Sequence, residues 1–594
     1  MNNKQTSNPA EKSVVHIWEK VEIVLEAEGT YSNPYTEVDV WVDLSGPGFE
    51  KRVYGFWDGG SVFKVRLVAT APGEWKWQSG SNTSDRGLNG KSGEFQAVEW
   101  DEKEKEENPC RRGFIYPTPN GHAFMYADGT PFLLLGDTWW ATPTYRYKWY
   151  EDELSRPIGP DMGFKDMVKF RKSQGYNCIA MLAAFPTWAN DGLPPTIHMD
   201  DEWKTAIRAA WEQAGTNSAK DMHNEGGRPF CFPGKVPGYE DVVPDFDRIN
   251  PEYFKHMDKK VDYLNDNGFV PFIEVARRDI SQVWKRYYDW PASYARFIQY
   301  IFARYQANNC LLSPIHFDYA GDSIPSFEYN EPANMVVDKY GHPPFGNLVG
   351  TNASPSTLVN FGGPDQARWL TFHQIGNWRE HDHHWYMTEI YYSTPPMPAV
   401  NGEPYYPGFP DDDPPAYSEE ADLNCRSGMY GGFLSGGFGG YIYGAEGLWG
   451  ADIEPDAKYR MWDAMQFESG KMVRYLEDFA FVNGNRYQDL EPNADLVTPN
   501  KAGDPMGYRG WAYCARTKEK DFFLIYLEKD CPQITVRGAI PNASYLFRWF
   551  NPRTGAWFGD VRLTTIKADG VGRIRIPAHP ADKDWGLSLI LEKK

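Results

Sequence analysis

The first hundred residues alternate apolar and polar side chains in short runs: Val14–Trp18, Val21–Leu25, Val38–Val42 and Phe63–Leu67. A period of two belongs to strands with one face on a core and the other in water. Gly and Pro turns separate the runs, at Ser45-Gly46-Pro47-Gly48 and Ala71-Pro72-Gly73. Residues 13–100 are therefore expected to form an antiparallel β-sandwich. Trp75 and Trp77 share one face of a strand there and suit either the core or a platform for a sugar ring. The charged run Asp101–Glu107 reads as a solvated linker closing this unit.

The pattern then changes. Phe124–Phe132 carries an Asp128-Gly129 turn, the mark of a hairpin. It leads into Phe132–Asp137, an unbroken apolar run ending in an acid. Unbroken runs suit strands covered on both faces, as in parallel sheets. Further strands are expected at Asn177–Leu182, Phe269–Val275, Cys310–Asp318, Leu348–Asn352, Leu370–Gln374, His384–Tyr392 and Tyr441–Gly444. Helical segments at Phe164–Ser173, 250–267 and Ser293–Gln306 fall between them. Eight strands with intervening helices predict a central (β/α)8 TIM barrel over 111–480. A long excursion at 184–245, rich in Trp, Gly and Pro, is expected to be a lid. From 485 to 594 strand-like runs return, with a turn at Asn551–Gly555, and predict a second antiparallel β-sandwich.

At 594 residues the chain is too long for one ordinary domain, and 41% hydrophobic with 24% charged residues marks it as globular. Its net charge of −20 argues against nucleic acid or an anionic membrane as partner. It has no eighteen-residue apolar run, and its N-terminus lacks the apolar core of a signal peptide. The seven cysteines are scattered, with no C-x-x-C pair, and read as reduced thiols. A cytoplasmic location is expected, or a secreted or periplasmic one if a signal peptide has been removed. Aromatic content is 16%, which fits both large β-rich cores and stacking on sugar rings.

Four acids fall at or near expected strand ends: Asp137, Glu274, Asp318 and Glu389, with Asp322 close behind. Glycoside hydrolysis needs two carboxyl groups about one bond, one protonated and one ionised. A barrel would set Asp318, after its fourth strand, across the mouth from Glu389, after its seventh. Any one of these acids could instead cap a helix or pair with Arg277, Arg278 or Arg426. Their convergence beside His316, His373, Trp139 and Trp140 favours catalysis. His316 and Asp318 would point to the same side of one strand, so that the imidazole tunes the acid. The cluster His381-Asp382-His383-His384 has the look of a metal site, but it precedes the seventh strand, on the face of a barrel that serves stability. No metal or organic cofactor is expected. No G-x-S-x-G, P-loop or strand-borne G-x-G-x-x-G occurs, which leaves a serine triad or nucleotide site without support.

The stretch Phe132-Leu133-Leu134-Leu135-Gly136-Asp137-Thr138-Trp139-Trp140 resembles the opening signature of the apiosidase-like glycoside hydrolases. Arg426-Ser427-Gly428-Met429-Tyr430 through Gly439–Trp449 resembles their closing one. The flanking sandwiches resemble the domain of unknown function that often precedes these barrels and the collagen-binding domain that often follows. The resemblance implies a retaining, exo-acting hydrolase on plant or algal polysaccharide side chains. It implies Asp318 as acid/base and Glu389, in Thr388-Glu389-Ile390-Tyr391-Tyr392, as nucleophile. The family's Gly-Gly-Asp at strand four is His316-Phe317-Asp318 here, and Ala320-Gly321-Asp322 is an alternative match. Asp137, Trp139, Trp140, Glu274, His316, His373 and Tyr391 are expected to line the sugar subsite, with Asp322 beside them. Two other classes stay open: a non-catalytic glycan-binding or scaffold protein, and a polysaccharide lyase or metal-dependent enzyme.

Overall fold

A computed structural model describes residues 13–184, 223–237, 240, 243–318, 324–376, 381, 384–558 and 564–592. Most of the expected lid and all of Asp322, Asp382 and His383 lie outside the described residues. Phe230–Cys231 pairs antiparallel with Asp245–Ile249 in the described part of that excursion.

The N-terminal strands form two sheets. Ser13–His16, Ser92–Val98, Gly73–Ser81, Val40–Gly46 and Phe49–Tyr54 make one, and Val21–Glu26, Val62–Leu67 and Phe56–Trp57 the other. Their inward positions Val42, Val53, Phe63, Val65 and Trp75 form one buried apolar cluster. Trp75 is therefore core, and Trp77 is half-buried at its edge. The charged run that follows is not an extended linker. It is a helix, Glu102–Glu107, started by a capping box between Asp101 and Glu104.

The central sheet is parallel and seven-stranded. Numbered in chain order, its strands are β1 (Leu134–Thr138), β2 (Cys178–Ala184), β3 (Val270–Ala276), β4 (Leu311–Ser313), β5 (His373–Gly376), β6 (Ala399–Glu403) and β7 (Gly440–Tyr443). They lie in the order β4-β3-β2-β1-β7-β6-β5, a half-barrel. Between its two edges runs the segment 348–353, which makes isolated bridges Leu312↔Val349 and Phe317↔Ala353 and no full ladder. The longer helices among the described residues are α1 (Phe164–Ser173), α2 (Pro251–Asp266), α3 (Arg278–Tyr287), α4 (Ala292–Tyr305), α5 (Asn330–Tyr340), α6 (His384–Tyr391) and α7 (Glu419–Leu434).

Strand alternation sorts the side chains into two layers. Leu134, Ala180, Val270, Phe272, Leu311, Val400 and Ile442 fill the concave face together with Phe124 and Phe132 of the expected hairpin. Leu135, Ile179, Met181, Ile273, Leu312 and Tyr441 face outward and pack with the helices.

One expected strand is corrected. His384–Tyr391 is helix α6, and the seventh strand position belongs to β6. In α6 the buried side chains are His384, Met387 and Ile390, spaced by three, and Trp385 on the opposite face is exposed. That is helical spacing. The helix bridges β5 and β6 and rests on α7, whose Gly431 admits it: a Cβ there would lie 2.6 Å from His384 Nε2.

The C-terminal strands form a seven-stranded sheet that includes Ala512–Thr517, Phe522–Leu527, Ser544–Asn551 and Trp585–Leu591, with a smaller three-stranded sheet beside it. Buried charge ties this part to α7. Arg426 grips Asp584 through Nε (2.7 Å) and Nη2 (3.0 Å), and Arg553 and Tyr526 also bind that carboxylate. Glu528 accepts from Ser427 and from the Trp511 amide (2.9 Å) and pairs with His381 (2.6 Å). The seven cysteines are free, all buried but the half-buried Cys231. Among the described residues no helix is long and apolar enough to cross a membrane.

Candidate active site

Four buried ionisable groups meet at the C-terminal ends of the central strands. Glu274 comes from β3, on the concave face by its alternation with Phe272. His316 and Asp318 follow β4, and Glu403 ends β6. Their order is set by hydrogen bonds. Glu274 Oε2 lies 2.5 Å from His316 Nδ1, and its Oε1 accepts from the Asn352 amide at 3.1 Å. Asn352 Nδ2 donates to Glu403 Oε2 at 2.8 Å. His316 Nε2 is 3.6 Å from Asp318 Oδ2. One ligand atom each from His316, Asp318 and Glu403 falls within 4.8 Å of the others.

Glu403 reaches this position through a β-bulge. Register along β5–β6 runs Gln374↔Val400 and Ile375↔Asn401, then slips to Gly376↔Glu403. Val400 faces the concave side and Asn401 faces outward, where its Nδ2 donates to Gly428 O of α7 at 3.0 Å. Strict alternation would send Glu403 outward too. The extra residue, Gly402, turns it back into the mouth, the re-aiming for which bulges near active sites are known. A Cβ on Gly402 would lie 1.7 Å from Gln374 Oε1, so any side chain there requires the buried Gln374 amide to move.

Charge balance defines the protonation states. Burial works against a charged His316, but the Glu274 and Asp318 carboxylates outweigh it and push the imidazole up to about 10. Burial favours a neutral Asp318, yet Arg277, Arg278 and His316 together hold it well below the usual carboxylate range. Arg277 Nη2 donates to Asp318 Oδ2 at 2.9 Å and Arg278 binds Oδ1. Trp140 forms a wall: its ring meets His316 edge-on at 4.5 Å, lies 5.2 Å from Trp449 and carries the Arg277 guanidinium at 5.6 Å.

Of the residues expected here, Glu274, His316, Asp318 and Trp140 come together. Others do not. Asp137 shares the outward face of β1 with Leu135 and is bound by Arg171 Nε (2.6 Å) and Trp139 Nε1 (2.8 Å). Burial pushes its carboxyl up against the Arg171 charge, and the pair is structural. Trp139 is spent on that bond and on Tyr147. His373 faces outward beside Thr357 (2.7 Å), where burial pushes it down to about 4 and leaves it neutral. Tyr391 donates to Leu490 O at 3.2 Å and stacks on His122, away from the rim. Glu389 lies half-buried in α6, on the outer layer, while the carboxylate brought to Asp318 is Glu403. Of the histidine cluster, His381 pairs with Glu528 and His384 packs on Tyr513.

Sequence reading missed Glu403, Asn352 and the bulge. Ala399-Val400-Asn401-Gly402-Glu403-Pro404 holds two apolar residues and then Gly and Pro, with no strand signal of either period. The clue available was an acid next to a glycine at the right distance before the closing helix.

Three carboxylates and an imidazole at the strand ends of a parallel half-barrel, walled by tryptophan, supply the paired acids that a glycoside hydrolase uses. The particular family follows from the comparisons. The apiosidase-like catalytic domain matches residues 118–483, more than half of the chain, and the protein belongs to that family. Residues 14–82 match a domain of unknown function, DUF5060, and 504–591 a domain named as the collagen-binding domain of a collagenase. No curated protein matches the sequence. Among solved structures, a protein assigned as a glycoside hydrolase from Bacteroides vulgatus ATCC 8482 aligns with 17% identity and TM-score 0.66 over 98% of this chain and 100% of that one. A glycoside hydrolase family 5 protein from the same organism aligns with 16% identity and TM-score 0.55 over 81% and 94%. A further glycoside hydrolase aligns with 16% identity and TM-score 0.57 over 81% and 98%. At such identities the likeness is one of fold.

Proposed function

We propose that the protein is a retaining, exo-acting glycoside hydrolase on plant or algal polysaccharide side chains, with Glu403 as nucleophile and Asp318 as acid/base. The observation that carries this is the separation of the two carboxylates, with oxygens within 4.8 Å. Retaining enzymes hold their carboxyl groups about 5–5.5 Å apart, whereas inverting enzymes need about 6.5–9.5 Å to admit a water. Exo action and the polysaccharide source rest on the family. In this reading segment 348–353 stands at the fifth position of a (β/α)8 barrel, and Asn352 enters the site from it.

In the first step a Glu403 oxygen bonds to the anomeric carbon as the glycosidic C–O bond breaks. Asp318 gives its proton to the leaving oxygen. In the second step Asp318 takes a proton from water, whose oxygen displaces Glu403 and regenerates the carboxylate. The arginines oppose the protonated Asp318 that the first step requires. The proton therefore has to arrive with a substrate that draws at least one guanidinium away. Glu274 and His316 position Asp318, and Trp140 offers the sugar an apolar wall.

A second reading has one observation in its favour: His316, Asp318 and Glu403 could converge on a cation. Arg277 and Arg278 against Asp318 disfavour it, since a cation would meet two positive charges there. The test is a panel of aryl glycosides and pectin- or algal-derived oligosaccharides, with wild type and Asp318→Asn side by side, with and without chelator. Release of one monosaccharide by wild type, unchanged by chelator and lost in the variant, is expected. Loss on chelation, or an unsaturated product, overturns the proposal.

A further inference from the structure

A second concavity lies on the far side of β5 and β6, beyond α6, where the central part meets the C-terminal sheets. Its volume is about 380 Å³, and neither Asp318 nor Glu403 borders it. One face of α6 supplies Trp385 and Thr388, the position after its end supplies Tyr392, and the C-terminal part supplies Asn493, Asp495 and Lys501. Trp385 and Tyr392 are 56% and 61% exposed, and among the described residues no other tryptophan is exposed. Exposed aromatic rings of this size keep apolar faces in water unless something is laid on them.

We propose that this cleft is an accessory binding site for a neutral oligosaccharide, separate from the catalytic centre. Three features select that ligand. Trp385 in α6 and Tyr392 just past its end border the same cleft and offer two apolar ring faces on which sugar rings can stack. The polar lining is mixed: an amide, a hydroxyl, a carboxylate and an ammonium, which suits many hydroxyl groups and gives no single charge for an ionic ligand. The volume lies in the range of small-ligand sites, about 300–1,000 Å³. A flat apolar partner would need no such polar rim.

The site stands whether or not Glu403 is the nucleophile, and the experiment keeps the two apart. Full-length protein and its Glu403→Gln variant are titrated with cellohexaose and with xylohexaose, followed by tryptophan fluorescence and calorimetry. Binding of at least one hexasaccharide is expected, weakened tenfold or more in both Trp385→Ala and Tyr392→Ala, and retained in Glu403→Gln. Hydrolysis of a small aryl glycoside should be unchanged in the two aromatic variants, and their melting temperatures should match wild type. Absence of binding by either probe, or binding that survives both aromatic substitutions, overturns the proposal. So does a wild-type dimer that Trp385→Ala dissociates without any saccharide binding, since a second copy would then be the occupant.

Discussion

The sharpest prediction separates two glutamates. Glu403 stands with Asp318 in the mouth of the half-barrel, and Glu389 stands on α6 in the outer layer. Glu403→Gln keeps the shape of the side chain, and its amide oxygen can still accept from Asn352 Nδ2, so the fold should lose no more than about 1 kcal/mol. Chemistry is another matter. Removing a group that acts as nucleophile should lower kcat/KM by at least about 10⁴-fold, or about 5.5 kcal/mol at 1.36 kcal/mol per decade. Glu389→Gln touches no group of the site and should stay within about threefold of wild type. The assay is steady-state kinetics on the best aryl glycoside, with the anomer of the first product read by NMR. Oxygens within 4.8 Å of one another put the two carboxylates in the close range of retaining enzymes, so the first product should retain its configuration. An inactive Glu389→Gln beside an active Glu403→Gln, or an inverted product, would refute the reasoning.

Other consequences follow from the charges. Arg278→Ala removes a cation from Asp318, whose carboxyl should rise, so the alkaline limb of kcat/KM should move to higher pH; a limb that stays put or moves lower contradicts the proposed acid. His316 is raised from 6.5 to about 10 on folding, so its contribution to stability is complete below pH 6.5 and lost as pH climbs through 10. Denaturation at pH 6, 8 and 10 should show that decline in wild type and not in His316→Gln. Arg426→Ala strands the buried Asp584 with part of its partners, and unfolding curves should show a loss of about 3 kcal/mol; a loss below about 1 kcal/mol would mean that this ion pair is not what joins α7 to the C-terminal sheets.

How much of this was legible in the sequence depends on the physics of each element. Period-two alternation marks the strands of the N-terminal sheets, because one face of each lies on a core built around Trp75 and Phe63. Unbroken apolar runs marked β1 to β3, since strands covered on both faces must be apolar throughout. His316 and Asp318 were correctly set on one side, as a period of two requires even where the strand has dissolved into bridges. Tertiary structure decided the rest. The aromatic and β-branched residues of 384–391 suit a strand locally, but packing Met387 and Ile390 against β5 and β6 makes them a helix. Asp137 has the residue type and place of a catalytic acid, and only the direction of its side chain assigns it to Arg171. Glu403 owes its direction to one extra residue at Gly402, and a bulge appears only when two strands are paired. Chain-local patterns carry propensity and alternation; which carboxylates share a charge environment is settled by register between strands distant in sequence.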